Sequence, residues 1–210
     1  MWTRIAIVLL ALSLTGQAQG GQYVKKLGDN LYGYVPGNDF SSNSTFLIGP
    51  NEILVVDTGY DGPEARKLLA EIRKMSSLPI RYIVNTHDHR DHQAGNGIIG
   101  PDATVIATAW TRERTLNFMT NDFVRQEQRL TGSALESLRS TAYRAATETY
   151  DGAMKLYVGN TTVEIYSPGK GHTGGDTLVY FSPQNVVSTG DLLMYHSCPA
   201  MDAANGSVLN

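Results

Sequence analysis

The sequence predicts a mixed α/β fold in a single domain. Three observations carry this: short apolar runs bounded by turn residues, one amphipathic helix opened by a proline, and a strand, loop, helix, strand succession across residues 80–107. The first four runs, Tyr23 to Lys26, Leu31 to Val35, Ser44 to Ile48 and Ile53 to Val56, are each flanked by Gly, Asn, Asp or Pro and read as strands of a meander. From Gly62-Pro63 to Met75 the period changes to that of a helix, with Leu68, Leu69 and Ile72 on one face. Pro63 falls in its first turn, where a backbone N–H has no helical partner to lose. Ile80 to Val84 reads as an apolar strand, Gln93 to Ile99 as a short helix and Thr104 to Ala107 as another strand. Residues 108–150 carry helix-forming composition, notably Gln126, Glu127, Arg129, Leu130 and Ala134 to Ala146. They are expected to form two or three helices inserted between sheet elements, as a lid or one wall of a cleft. Strands return at Lys155 to Val158 and Thr161 to Tyr166, joined by a tight turn at Gly159-Asn160, and again at Thr177 to Phe181 and Val186 to Ser188.

Composition excludes some functions. In 210 residues, 17 Lys and Arg stand against 20 Asp and Glu, so a net charge of −3 leaves no positive surplus for a phosphate backbone and nucleic acid is not an expected partner. Cys198 is the single cysteine, which rules out an internal disulfide and a thiolate zinc site; any metal must be held by His and carboxylate. Residues 1–18 start as Met-Trp-Thr-Arg, with its one charge at Arg4, continue as an unbroken apolar stretch from Ile5 to Leu12 and exit at the small-x-small sequence Gly16-Gln17-Ala18. That pattern is a secretory signal peptide, with an apolar run too short to span a bilayer. The expectation is a secreted or periplasmic protein, its domain running over 19–210, with no stable membrane insertion after signal removal.

Five histidines occur, and three fall in one window, His87-Asp88-His89-Arg90-Asp91-His92. The window follows the strand Ile80 to Val84, and the C-terminal ends of strands are where α/β folds place ligands. On an extended segment His87 and His89 can turn their rings to the same ion, while Asp91 and His92 at the next helix start face a second direction. His172 lies in the glycine-rich segment Gly-Lys-Gly-His-Thr-Gly-Gly-Asp and can complete a three-histidine set. Taken alone, Asp57 and Asp191 read as turn residues, Asp176 as turn-forming or as a support behind the site rather than a ligand, and Asp88 and Arg90 as solvated or lining the cleft.

The His-x-His-x-Asp-His signature at 87–92, the preceding Val56-Asp57-Thr58-Gly59, the later Gly171-His172-Thr173 and the strand-closing Thr189-Gly190-Asp191 together resemble the metallo-β-lactamase superfamily. The resemblance covers roughly residues 44–192 and implies an αββα four-layer sandwich with a metal cleft at one edge of its two sheets. It implies His87, His89 and His172 as ligands of a first metal, Asp91 and His92 as ligands of a second, and Asp191 as the bridging carboxylate. Asp57 then supports the metal loop from behind, and Asp91 is the catalytic carboxylate that orients the nucleophile or carries its proton. The implied cofactor is zinc, two ions in the full-length protein, with iron as the other candidate. The implied activity is hydrolysis of a small-molecule ester, thioester, lactone or lactam by a water that the metal activates. Backbone amides of Gly174-Gly175 are also expected to face the site.

The sequence departs from the family pattern in one respect. The family supplies a further histidine from a later strand-end loop, whereas none follows His196 here, and the closing strands and helix are not seen before Asn210. The expectation is a chain whose C-terminal part is missing. The family's cysteine-ligand subclass has Cys where this chain has Asp191 and Arg where it has His92, so the pattern is closer to glyoxalase-II-like and lactonase-like hydrolases. True lactam hydrolysis is the nearest alternative, and mononuclear iron sulfur dioxygenation a second. Oligomeric state is not legible.

Overall fold

The structure is a computed structural model and describes residues 23–37, 41–194, 201 and 206–207. The expected signal peptide, His196 and Cys198 lie outside the described residues.

Among the described residues, eleven strands form two sheets. In the first sheet β1 (Tyr23–Gly28), β2 (Leu31–Val35), β3 (Ser44–Ile48), β4 (Ile53–Val56), β5 (Ile80–Val84), β6 (Thr104–Thr108) and β7 (Glu148–Tyr150) lie side by side in chain order. The pairs from β1 to β4 are antiparallel, with short turns joining β1 to β2 and β3 to β4. Those from β4 to β7 are parallel, so each needs a crossover, and the helices occupy those crossovers. The second sheet, in the order β11 (Val186–Ser188), β10 (Leu178–Phe181), β9 (Thr161–Tyr166), β8 (Ala153–Val158), is antiparallel throughout.

β4 shows how the layers arise. All four of its residues are buried, and alternation sends them to two different cores. Ile53 and Val55 meet α1 (Gly62–Met75) through Ala65, Leu68 and Ile72. Leu54 and Val56 meet the second sheet through Val163, Ile165, Val179 and Phe181. The described layers are therefore helix, sheet, sheet. The outward face of the second sheet is open to solvent, with Tyr157 71% exposed and Tyr166 and Val187 exposed beside it.

α1 starts where Asp61 Oδ1 accepts the Glu64 N–H at 3.1 Å, with Pro63 in the first turn. The other carboxylate oxygen of Asp61 accepts from Ser137 on α6 (Gly132–Arg139), which fastens the inserted helices to the head of α1.

The structure departs from the sequence reading between residues 90 and 150. The short helix expected over 93–99 is two separate turns, α2 (Arg90–Gln93) and α3 (Asn96–Ile99). The helix expected to reach Ala146 ends at Arg139. One cause serves both: the Ala142 N–H donates to the Ala94 carbonyl at 2.8 Å and its carbonyl accepts from Gly97 at 2.7 Å. These bonds hold residues 140–146 as an extended strap along the break. The strap runs into β7, whose three residues are too few to show alternation in sequence. The remaining insert is α4 (Ala109–Asn117), a π turn (Phe118–Asp122) and α5 (Phe123–Arg129). No helix among the described residues is long and apolar enough to cross a membrane.

Candidate metal centre

The centre is built where β4 and β5 end. Asp57 follows β4 with φ of 59°, a left-handed conformation that aspartate tolerates better than most residues, and its N–H donates to the Val84 carbonyl at 3.0 Å. This reversal turns its carboxylate under the segment that follows β5. There Oδ1 accepts the Thr86 N–H at 2.9 Å and Oδ2 accepts the Thr86 hydroxyl at 2.7 Å. Oδ2 also lies 2.8 Å from His92 Nδ1.

These contacts fix two imidazoles. The Thr86 hydroxyl gives its proton to Asp57, so its oxygen accepts from His87 Nδ1, 3.1 Å away. His92 Nδ1 gives its proton to Asp57 in the same way. Both rings therefore carry hydrogen on Nδ1, and Nε2 is the atom each can offer a metal. Nε2 of His92 is buried beside the Asp91 and Asp191 carboxylates, and Nε2 of His87 is buried without a hydrogen-bond partner. A buried acceptor left so is costly unless something electrophilic faces it.

What faces His87 is a ring of histidines. His87, His89 and His172 have ring centroids 4.7, 4.8 and 4.7 Å apart, with interplanar angles of 74°, 89° and 87°. His89 Nδ1 and His172 Nε2 are 3.0 Å apart, and Asp191 Oδ2 is 3.5 Å from His172 Nε2. For a tetrahedral zinc with Zn–N of about 2.05 Å, neighbouring ligand nitrogens sit about 3.3 Å apart. Asp191 Oδ1 reaches the other way, 3.3 Å from His92 Nε2, which is also 3.2 Å from Asp91 Oδ2. Two donor sets result, His87, His89, His172 and Asp191, and Asp91, His92 and Asp191, each with its ligand atoms within 4.8 Å of one another. Asp191 is common to both. The residues present fit a pair of metal ions in donor type, spacing and tautomer.

Asp191 is placed by its neighbour. Gly190 has φ of 51°, and a Cβ there would come within 2.6 Å of the Thr86 hydroxyl, so glycine lets the end of β11 close onto the histidine loop. His172 comes from the long β9–β10 loop, where Asp176 accepts from the Thr173 N–H at 2.9 Å and from its hydroxyl at 2.6 Å. Asp176 is thus turn-forming, as read from sequence. The Gly175 N–H donates to Thr173 Oγ1, so this amide is committed within the loop rather than offered to the site.

Electrostatics follow from burial and charge. Burial, with His92, His89 and His172 close by, holds His87 well below the ordinary histidine pKa. At His92 burial acts in the same direction but is outweighed by the Asp57 charge and by hydrogen bonds with Asp191, Asp57 and Asp91, and its pKa is raised. At Asp91 burial is outweighed by the hydrogen bond and charge of His92, and the carboxyl is lowered. Burial raises Asp88 despite Arg114, 3.6 Å from its carboxylate. Asp88 and Arg90 are not simply solvated: the Arg90 guanidinium stacks on Tyr60 at 4.1 Å and donates to Ser137.

Sequence reasoning brought together His87, His89, Asp91, His92, His172, Asp191 and Asp57. It passed over Thr86, the hub of the network, and the side chain of Gln93, which accepts the Thr115 hydroxyl at 2.6 Å. A cavity of about 640 Å³ opens beside Asp57, His92 and Asp191, lined also by Ser42, Thr45 and Leu27.

Comparison with known proteins gives a consistent result. Residues 37–209 match the family model described as the metallo-beta-lactamase superfamily. The type 2 metallo-beta-lactamase of Elizabethkingia meningoseptica is 25% identical over 176 residues, 79% of this chain. The chain spans 62% of that protein's length. A 46-residue stretch, 22% of the chain and 9% of the other protein, is 50% identical to a linear primary-alkylsulfatase of Pseudomonas sp. (strain ATCC 19151). Among solved structures, a metallo-beta-lactamase from Pontibacter korlensis aligns with a TM-score of 0.60 at 18% identity, covering 80% of this chain and 70% of that one. The metallo-beta-lactamase IND-7 aligns with a TM-score of 0.60 at 22% identity, covering 84% and 74%.

Proposed function

The chain belongs to the metallo-β-lactamase superfamily, and from that premise we propose that it is an exported, zinc-dependent hydrolase of ester, thioester, lactone or lactam bonds. The observation that carries the reading is the pair of donor sets sharing Asp191, with the unpartnered Nε2 of His87 and the carboxylate-flanked Nε2 of His92 buried among them. His87, His89, His172 and Asp191 would hold one ion, and Asp91, His92 and Asp191 a second. Zinc, when bound, supplies Lewis acidity and draws the pKa of a water from 15.7 to about 7.

The chain's own groups do the rest. Asp57 keeps His92 in the tautomer that presents Nε2, and Thr86 does the same for His87. Asp91 stays ionised at neutral pH, because His92 holds its carboxyl below the usual carboxylate range. Its Oδ2 is therefore available to orient a water and to accept a proton. The Asp91 backbone is anchored by the Ser42 hydroxyl, which donates to its carbonyl at 2.6 Å. The cavity beside Asp57, His92 and Asp191 is the space for a small-molecule substrate.

Lactam hydrolysis is the second reading, supported by the 79% of this chain that aligns with the type 2 metallo-beta-lactamase. The test is metal analysis of purified protein together with turnover of a chromogenic cephalosporin, a lactone, a thioester and a primary alkyl sulfate. About two zinc ions and cleavage of one bond class support the proposal and name the substrate. One iron with no hydrolysis turns it to oxidative chemistry. Export rests on residues 1–18, and recovery of the expressed protein from the periplasmic fraction tests it.

A further inference from the structure

One short helix holds both loops that carry the histidine triad. α4 begins at Thr108, whose hydroxyl accepts the Thr111 N–H at 3.1 Å. The hydroxyls of Thr108 and Thr111 then lie 3.2 and 3.1 Å from the Gly175 carbonyl, three residues beyond His172. Between them Trp110 lies flat against the same loop, where a Cβ on Gly174 or Gly175 would come within 2.5 Å of the indole. One turn further, Thr115 shares its single hydroxyl proton between the Gln93 Oε1, 2.6 Å away, and the Thr111 carbonyl, 2.7 Å away. The Gln93 side-chain amide in turn donates to the carbonyl of Asp88, the residue between His87 and His89. Arg114 reaches Asp88 from the same helix, its Nε 3.6 Å from the carboxylate.

Thr111 and Thr115 are one helical turn apart, so they share a face, and both are 1% exposed. That face spans the gap between the His87–His89 loop and the His172 loop. We propose that Thr115 and Gln93 are positioning residues for the metal: through them α4 sets the distance between His172 and the His87–His89 pair. The inference rests on the reading that these three histidines hold a metal. Hydrogen bonds behind the ligands commonly change metal affinity by about 10- to 100-fold when removed. Here the bonds fix not one ring but the spacing of two loops 83 residues apart in sequence.

The test titrates zinc and cobalt(II) into the full chain against a chromogenic chelator, for the wild type, Thr115→Val, Thr115→Ser and Gln93→Met. Thr115→Val is expected to weaken zinc binding about tenfold or more and to shift the cobalt visible bands, which report ligand geometry and which a merely stabilising role would not move. Thr115→Ser restores the hydroxyl and is expected to return affinity to within about twofold of wild type. Gln93→Met keeps the side-chain volume, removes both of its bonds and is expected to weaken binding about tenfold; it decides the matter if Thr115→Val does not fold. Unchanged affinity and unchanged cobalt spectra in the variants overturn the positioning role while leaving the metal reading in place. A wild-type chain that binds neither ion overturns both.

Discussion

Thr86 has one hydroxyl and three claimants: the Asp57 carboxylate at 2.7 Å, His87 Nδ1 at 3.1 Å and His92 Nδ1 at 3.3 Å. It can donate to only one, and the carboxylate is the strongest acceptor, so its oxygen is left to receive hydrogen from the rings. The pH behaviour of the metal-free protein follows from the two histidines this arrangement separates. His92 has a raised folded pKa, so its stabilising contribution is complete below the unfolded value of about 6.5 and is lost as pH rises through the folded value. His87 has a lowered folded pKa, so its contribution is complete above about 6.5 and is lost as pH falls toward the folded value. Melting curves of chelator-treated protein from pH 5 to 9 are expected to fall on both sides of a maximum. In His92→Asn the loss on the alkaline side should disappear, and an unchanged alkaline limb would count against the pairing with Asp57. For His89→Ala, metal retention and hydrolysis should vanish together, as measured by metal content and turnover on the same sample; retained metal with full activity would remove the assignment.

Among the elements, α1 illustrates how a local signal and a remote contact combine. The start of the helix was legible in Gly62-Pro63, but the Asp61 carboxylate that caps it was not, and its second oxygen serves Ser137, 76 residues away, which no local pattern announces. Asp61→Ala should lower unfolding free energy by about 1–2 kcal/mol in urea titration, near the upper end for a lost cap because the Ser137 bond goes with it. Leu68→Ala, which empties a fully buried position beneath the first sheet, should cost about 2–5 kcal/mol by the same measurement. The candidate ligands were legible for a related reason: His87, His89, Asp91 and His92 sit within six residues, and His172 and Asp191 stand beside glycines at strand ends. The strap at residues 140–146 was not. Its alanines favour a helix in isolation, and only the bonds from Ala142 to Ala94 and Gly97 decide otherwise. Thr115 and Gln93 escaped notice because a threonine on a helix and a glutamine after a histidine carry no signal until α4 is seen lying across the loops.

For the molecule as a whole, the two sheets draw on stretches of chain that do not overlap, residues 23–150 and 153–188. The donor sets draw on both, since His87, His89, Asp91 and His92 follow β5 while His172 and Asp191 belong to the second sheet's loops. A ligand that binds the folded chain alone adds stability by mass action, about 2.7 kcal/mol at a hundredfold excess over its Kd. The melting temperature should therefore climb with free zinc, and a melting temperature indifferent to zinc would contradict a centre shared between the sheets.

This division has a consequence for the lifetime of the protein. An ion gripped by His89 and His172 is a reversible crosslink closing a loop of 83 residues, the noncovalent counterpart of a bridge between two halves of the chain. With it in place the sheets would not part, so a protease would reach the sites buried between them only after the ion had left. Cleavage within the two sheets should then run at the rate of metal release, and a pulse of chelator should speed it sharply.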